Sequence, residues 1–206
     1  MNNTAAWAGG GGDDTILGQG GRDTIDGGEG DDELTGGPGE DIMAGGPGQD
    51  LLSEVGDVDF DLDDMQLVTV DGETTETDVI SDVELADLTG GDGDNTIDAA
   101  DFSGDVSLGG GAGNDELIGG SGNDELDGGA GDDNLSGGDG DDAMAGQEGM
   151  DTLDGGAGND NLSGGDGNDA MVGQDGMDTL DGGGGDDILD GGVGDDVISG
   201  GDGADV

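Results

Sequence analysis

The chain of 206 residues carries 55 glycines and 55 acidic side chains against one basic residue, has no His, Cys or Tyr, and holds a formal net charge of -54. Leu, Ile, Val and Phe make up about 18% of it, below the roughly 20% under which a highly charged sequence is expected to stay disordered. A hydrophobic core alone therefore does not offset backbone ordering at about 1–2 kcal/mol per residue. Nucleic acid and anionic membrane surfaces are excluded as partners, because both are recognised by clustered Lys and Arg and only Arg22 is present. Zinc, copper and haem lack their usual ligands, whereas a field of this sign attracts hard, oxygen-seeking cations such as calcium, magnesium or manganese.

Residues 1–8 form a lead. Met1-Asn2-Asn3-Thr4 carries no positive charge and no apolar stretch follows, so neither a cleavable signal peptide nor a membrane span is expected here. Absence of cysteine leaves the redox compartment open. From Gly9 a period of nine begins: GGGGDDTIL, GQGGRDTID, GGEGDDELT, GGPGEDIMA and GGPGQDLLS form a first block over residues 9–53. Residues 54–89 break the register and bring Phe60, Leu62, Leu67, Val68, Val70, Val79 and Ile80, with Asp71-Gly72 as a turn signal between β-prone runs, which reads as strands without metal loops. A lone unit, GGDGDNTID, spans residues 90–98, and residues 99–109, with Phe102, Val106 and Leu108, read as one more irregular coil, so that 54–109 forms an irregular β-helical insert. The second block, residues 110–206, holds ten units and a truncated eleventh, and residues 128–154 recur as 155–181 with four differences. Such tandem copying is how solenoids grow. No apolar period of 3.6 persists, so helix content is expected to be minimal.

Within each unit glycine stands first and fourth throughout, and second in all but three units, where Gln19, Gln147 and Gln174 replace it. Glycine at this density marks loops that need positive φ or close backbone approach. The sixth residue is Asp except for Asn95, and the eighth is Ile, Leu or Met in every complete unit. Positions seven to nine then make a three-residue strand with one inward apolar side chain, and the six-residue loop before it ends in a carboxylate. If two units complete a coil, unit n stacks on unit n+2, setting Asp14 above Asp32 and Asp115 above Asp133 at a strand spacing of about 4.7–4.9 Å. Carboxylates that close repel unless a cation lies between them, and a hard divalent ion taking six to eight oxygens would draw the remainder from loop carbonyls.

These GGxGxDxUx units resemble the calcium-binding RTX nonapeptide repeats of proteins exported by bacterial type I secretion. The resemblance implies an all-β fold, a right-handed parallel β-roll or β-helix solenoid with two nine-residue repeats per coil and calcium between loops, and folding that waits for calcium. The position-six carboxylates it makes ligands are Asp14, Asp23, Asp32, Asp41 and Asp50, then Asp115, Asp124, Asp133, Asp142, Asp151, Asp160, Asp169, Asp178, Asp187, Asp196 and Asp205, with loop main-chain carbonyls completing the shell. Three sites in the first block and nine in the second give roughly a dozen calcium ions, which would reduce the charge to about -30 and leave a soluble polyanion. Asn95 departs from the pattern and lacks a partner eighteen residues away in either direction, so no site is expected there. RTX proteins usually continue into a cap and an uncleaved secretion signal, and this chain stops at Val206 within a unit, as a fragment or a truncated gene would; fraying is expected over 191–206.

Acids at the third and fifth positions, such as Asp13, Asp31 and Asp139, read as solvated loop charges, Arg22 as an ion-pair partner and Trp7 as a cover for the end of the apolar stack. Met43, Met144 and Met171 are core, while Met150 and Met177 sit at the loop-facing fifth position. Nothing suits catalysis: there is no nucleophile beside a base, and the glycine loops lack the Lys and helix of a phosphate cradle. The expectation is a secreted, monomeric, calcium-binding module, not an enzyme, exported by type I machinery if its full-length form carries the signal. A rigid spacer, surface-array or adhesin-type element stapled by calcium is the alternative, with a calcium-buffering or mineral-nucleating polyanion as a third.

Overall fold

A computed structural model describes residues 4–72 and 74–206, so Met1, Asn2 and Asn3 of the expected lead lie outside the described residues. Each nonapeptide contributes one strand, since its eighth residue turns inward while the seventh and ninth face out. The first block builds β1 (Ala6–Gly11), β2 (Thr15–Leu17), β3 (Thr24–Glu29), β4 (Glu33–Thr35), β5 (Ile42–Ala44) and β6 (Leu51–Val55). The insert adds β7 (Asp59–Asp63), β8 (Gln66–Asp71), β9 (Thr74–Ser81), β10 (Leu85–Thr89), β11 (Thr96–Asp101) and β12 (Asp105–Ala112). The second block adds β13 (Glu116–Gly120), β14 (Glu125–Ala130), β15 (Asn134–Asp139), β16 (Ala143–Glu148) and β17 (Thr152–Ala157), then β18 (Asn161–Asp166), β19 (Ala170–Asp175), β20 (Thr179–Gly184), β21 (Ile188–Asp190) and β22 (Val197–Ser199). Among the described residues there is no helix.

Successive strands alternate between two sheets, and within the blocks each strand pairs in parallel with the one eighteen residues on: Ile25 with Met43, Leu34 with Leu52, Leu117 with Leu135, Leu126 with Met144. The chain is thus a parallel β-solenoid with an eighteen-residue coil. From β13 to β20 the strands of the second block are longer than the expected three residues, because residues of the next unit's glycine loop pair as well, as Gly111 with Gly129 and Ala112 with Ala130 between β12 and β14. Eighth-position side chains stack into a continuous core running from Ile16 and Ile25 to Met171 and Leu180, with Met43 and Met144 buried in it.

At the insert the two sheets differ. One sheet runs β5-β9-β8-β7-β11, whereas the other passes from β6 through β10 to β12, giving twelve strands against ten. β7, β8 and β9 form an antiparallel meander, turned once at Asp63, whose Oδ1 accepts the Met65 and Gln66 amides at 2.7 and 2.8 Å, and once at Asp71-Gly72, with Gly72 at φ 56°. Phe60, Leu62 and Leu67 from the meander and Phe102 from the link between β11 and β12 fill this stretch of core. Register with the blocks is kept across it: Met43 pairs with Ile80, Phe60 with Ile97 and Ile97 with Leu117.

At the N-terminal end Trp7 pairs with Ile25 in the register of an eighth position and is 45% exposed, so it half covers the stack. At the other end β21 and β22 shorten to three residues, and the Leu189 amide bonds the Val206 carbonyl and the Val206 amide the Asp187 carbonyl, both at 2.9 Å. Ile198, 49% exposed, is the eighth-position residue left uncovered there.

Candidate metal centres

Stacking at eighteen residues brings the position-six carboxylates into two columns, one along each row of loops. In each, Oδ1 of one unit accepts the backbone amide of the sixth residue two units earlier: Asp14 to Asp32 at 2.8 Å, Asp115 to Asp133 at 2.8 Å, Asp151 to Asp169 at 2.9 Å, Asp187 to Asp205 at 3.2 Å. The second oxygen has no such partner. Oδ2 of Asp14, Asp23, Asp32, Asp41, Asp50, Asp115, Asp124, Asp133, Asp142, Asp151, Asp160, Asp169, Asp178 and Asp187 is sealed from solvent and accepts no hydrogen bond. Asp196 and Asp205 belong to the same columns but lie at the open end, half-exposed. Asp154 Oδ1, at a ninth position, is sealed and unbonded too, and nothing in the fold explains it.

A sealed, unbonded carboxylate oxygen costs several kcal/mol unless a cation or proton meets it. Each Oδ2 packs close against the first glycine of its own unit, where a side chain would stand. A carbon attached to Gly9 would stand 2.5 Å from Asp14 Oδ2 and 2.5 Å from the Gly27 carbonyl oxygen, and one on Gly119 would stand 2.6 Å from the Gly137 carbonyl with Asp124 Oδ2 beside it. The same pairing, own-unit carboxylate plus first-glycine carbonyl two units on, recurs at Gly110, Gly137, Gly146, Gly164 and Gly182. These contacts leave no room for a side chain at the first position, and they set a sealed carboxylate oxygen beside a main-chain carbonyl, the hard oxygen donors that calcium takes. Among the described residues no three His, Cys, Asp or Glu side chains gather as a chelate, so main-chain carbonyls have to supply most of a shell.

Burial is the first cause that raises these carboxyls above 3.8: Asp124, Asp142, Asp151 and Asp160 rise to about 6, and Asp41, Asp50, Asp115, Asp133 and Asp169 rise as well, opposed by the amide each accepts and reinforced by neighbouring acids.

Asn95 corrects one expectation. Its partner lies twenty rather than eighteen residues on: its amide donates to Asp115 Oδ1 at 2.7 Å, and its own Oδ1 accepts from Gly91 at 2.8 Å, so it keeps the geometry of the column without the charge. Fifth-position acids are more than solvated charge. Asp13 accepts the Asp31 amide, Asp31 the Gln49 amide and Asp141 the Asn159 amide, a second ladder running opposite in sense to the first. Asp139, at a third position, is exposed. Arg22 pairs with Glu40 at 2.9 Å, both exposed, an interaction of about 0–1 kcal/mol. Met150 and Met177 receive the fifth-position bond and pass none on.

Four acids of the insert were not singled out by the repeat. Asp78 Oδ1 accepts the Asp41 amide at 2.8 Å and Glu84 Oε2 the Asp50 amide at 3.0 Å, extending both columns past the last unit of the first block. Glu54 accepts Gly36 and Gly37 at 2.7 and 2.9 Å, and Glu76 accepts Gly39 at 2.9 Å, where a regular coil would present backbone carbonyls. Burial pushes Asp78 up to about 7 and raises Glu54. The only signal for them was the run of acids at 54, 76, 78 and 84, without the glycines that mark the repeat.

The sequence model of the RTX calcium-binding nonapeptide repeat matches residues 8–34, 17–52, 87–103, 109–144, 145–176 and 172–206, well over half of the chain. The chain belongs to the RTX calcium-binding nonapeptide-repeat family. That repeat is a structural, calcium-binding module and not a catalytic one. No curated protein matches the chain at a significant level. Among solved structures, the extracellular lipase LipA from Serratia marcescens is 22% identical over 84% of this chain, with a TM-score of 0.35, and the RTX chain spans 33% of that lipase.

Proposed function

We propose that this RTX chain is a right-handed β-roll that holds calcium between loops n and n+2, is disordered without it, and folds on binding it outside the cell. The observation that carries this is the row of sealed, unbonded Oδ2 atoms, most of them set beside a first-glycine carbonyl two units on. Asp14 through Asp50 and Asp115 through Asp205 at nine-residue steps are the proposed ligands, and first-glycine carbonyls the proposed main-chain donors. Calcium would supply the positive charge between stacked carboxylates, whose repulsion at about 5 Å is on the order of 3 kcal/mol per neighbouring pair at an effective dielectric of about 20.

The magnitudes suit a folding switch. Each site adds RT ln(1 + [L]/Kd), about 0.4 kcal/mol at calcium equal to Kd and about 1.4 at ten times Kd. Roughly a dozen sites then add about 5 to 17 kcal/mol, the whole net stability of an ordinary domain at about 5–15 kcal/mol. Extracellular modules bind calcium at about 0.1–1 mM, so the switch falls between a calcium-poor cytosol and a calcium-rich exterior. Secretion as an unfolded chain through type I machinery, and a monomeric state, belong to the same reading. Far-ultraviolet circular dichroism with and without calcium tests it: a β spectrum should appear on titration, and one already complete in excess chelator would sink it.

The uninterrupted parallel ladder from β11 to β22 also favours a spacer role, in which calcium serves rigidity. Self-assembly or attachment at saturating calcium would distinguish that role.

A further inference from the structure

The nonapeptide pattern ends at Ser53, and with it the pairing of loops eighteen residues apart. The fifth loop, Gly45 to Asp50, has no nonapeptide loop stacked beyond it. In that place lies the three-residue link Asp82-Val83-Glu84 between β9 and β10. Asp82 has φ 54°, and it is joined outside glycine only by Gln19, Gln147 and Gln174 among described residues with positive φ. A carbon attached to Gly45 would meet the Asp82 carbonyl oxygen and stand 2.5 Å from Asp50 Oδ2, so this carbonyl occupies the place that the Gly27 carbonyl holds beside Gly9 and Asp14. The backbone leading into it matches too: Gly45 bonds the Ser81 carbonyl at 3.0 Å, and Leu85 bonds the Asp50 carbonyl at 3.0 Å.

Two further observations point to an ion. Asp50 is 0% exposed and its Oδ2 is sealed without a partner. Glu84 Oε2 takes the Asp50 amide as a sixth-position Asp would, which brings a second carboxylate to the same loop. By contrast, the fourth loop faces Glu54 side-chain oxygens instead of a carbonyl, and the nearest atoms to a carbon on Gly36 would be those of Asp41 and Met43, with no carbonyl among them.

We infer that Asp50, the Asp82 carbonyl and Glu84 form a calcium site outside the nonapeptide pattern, one that ties the insert to the calcium-loaded first block. It rests on the proposed calcium binding between loops. The test is native mass spectrometry of the full chain at saturating calcium, with hydrogen exchange of residues 79–89. E84Q keeps an oxygen for the Asp50 amide and removes the charge; it should carry one calcium fewer than wild type, with calcium-dependent protection lost over 79–89 and kept over 115–187. D82G retains the carbonyl and the positive φ and should match wild type in both. An E84Q protein with the full count and full protection would show Glu84 to be a backbone cap alone and overturn the inference, as would loss of the ion in D82G. A wild-type chain that binds no calcium would instead remove the reading beneath it.

Discussion

A methyl group at the first position and one at the second meet different obstacles. On Gly146 it would meet Asp151 Oδ2 and lie 2.7 Å from the Gly164 carbonyl, pushing aside two proposed donors. G146A should therefore weaken the calcium-folded state by overpacking, about 1–3 kcal/mol, read as a higher calcium midpoint in a circular-dichroism titration. Position two has a left-handed backbone, which Gln147 adopts at φ 78°, and a carbon there meets the second-position carbonyl two units earlier, as Gly138 meets that of Gly120; Gln stands there in three units and no side chain stands at position one. Replacing an interior ligand splits the two states: D160N leaves Oδ1 to accept the Asp142 amide, now at 2.9 Å, while removing a buried charge. Order in chelator should rise and calcium affinity fall about tenfold, roughly 1.4 kcal/mol, measured by titrating wild type and variant side by side. The fixed Asp at position six was legible because charge there has no structural substitute. The fifth-position ladder was not, since Asp, Asn, Met and Arg all occur and the shared feature is an amide donor that every residue has.

At the scale of elements, that ladder carries its own test. The Met150 amide donates to Asp132 Oδ1 at 2.9 Å, and its side chain offers no oxygen to the unit beyond. M150N should supply one, adding about 0.5–1.5 kcal/mol, visible as a higher thermal midpoint in calcium. Leu135 of β15 is 0% exposed between Leu117 and Leu153, so L135A should cost about 2–5 kcal/mol by the same measurement. Strands of the blocks were readable from the eighth position, and the turn at Asp71-Gly72 from its residues. The placement of Asp78 and Glu84 in the columns was not, because each gains its position from pairing across 37 and 34 residues with loops that it does not resemble.

For the molecule as a whole, protons and the proposed calcium ions would compete for the same oxygens. Folded-state values near 6 for Asp124, Asp142, Asp151 and Asp160, and near 7 for Asp78, lie above the 3.8 of an unperturbed side chain. The calcium-free fold thus binds more protons than the unfolded chain between about pH 4 and pH 7, so the stability from these groups is full below about pH 4 and lost as pH rises through 6 to 7. In chelator, circular dichroism should show β structure gained on acidification from pH 8 to pH 4, and the calcium midpoint should move to higher concentration as pH falls. A chain that composition marks as unfolded is then a solenoid under either of two cations.

The unequal sheets have a mechanical result. Two added strands on one side, at about 4.7–4.9 Å each, lengthen that side by nearly the thickness between packed sheets, about 10 Å, over the passage from β5 to β11. The ten-stranded side has only β10 to set against that length, and both phenylalanines, Phe60 and Phe102, are buried in the core at this passage.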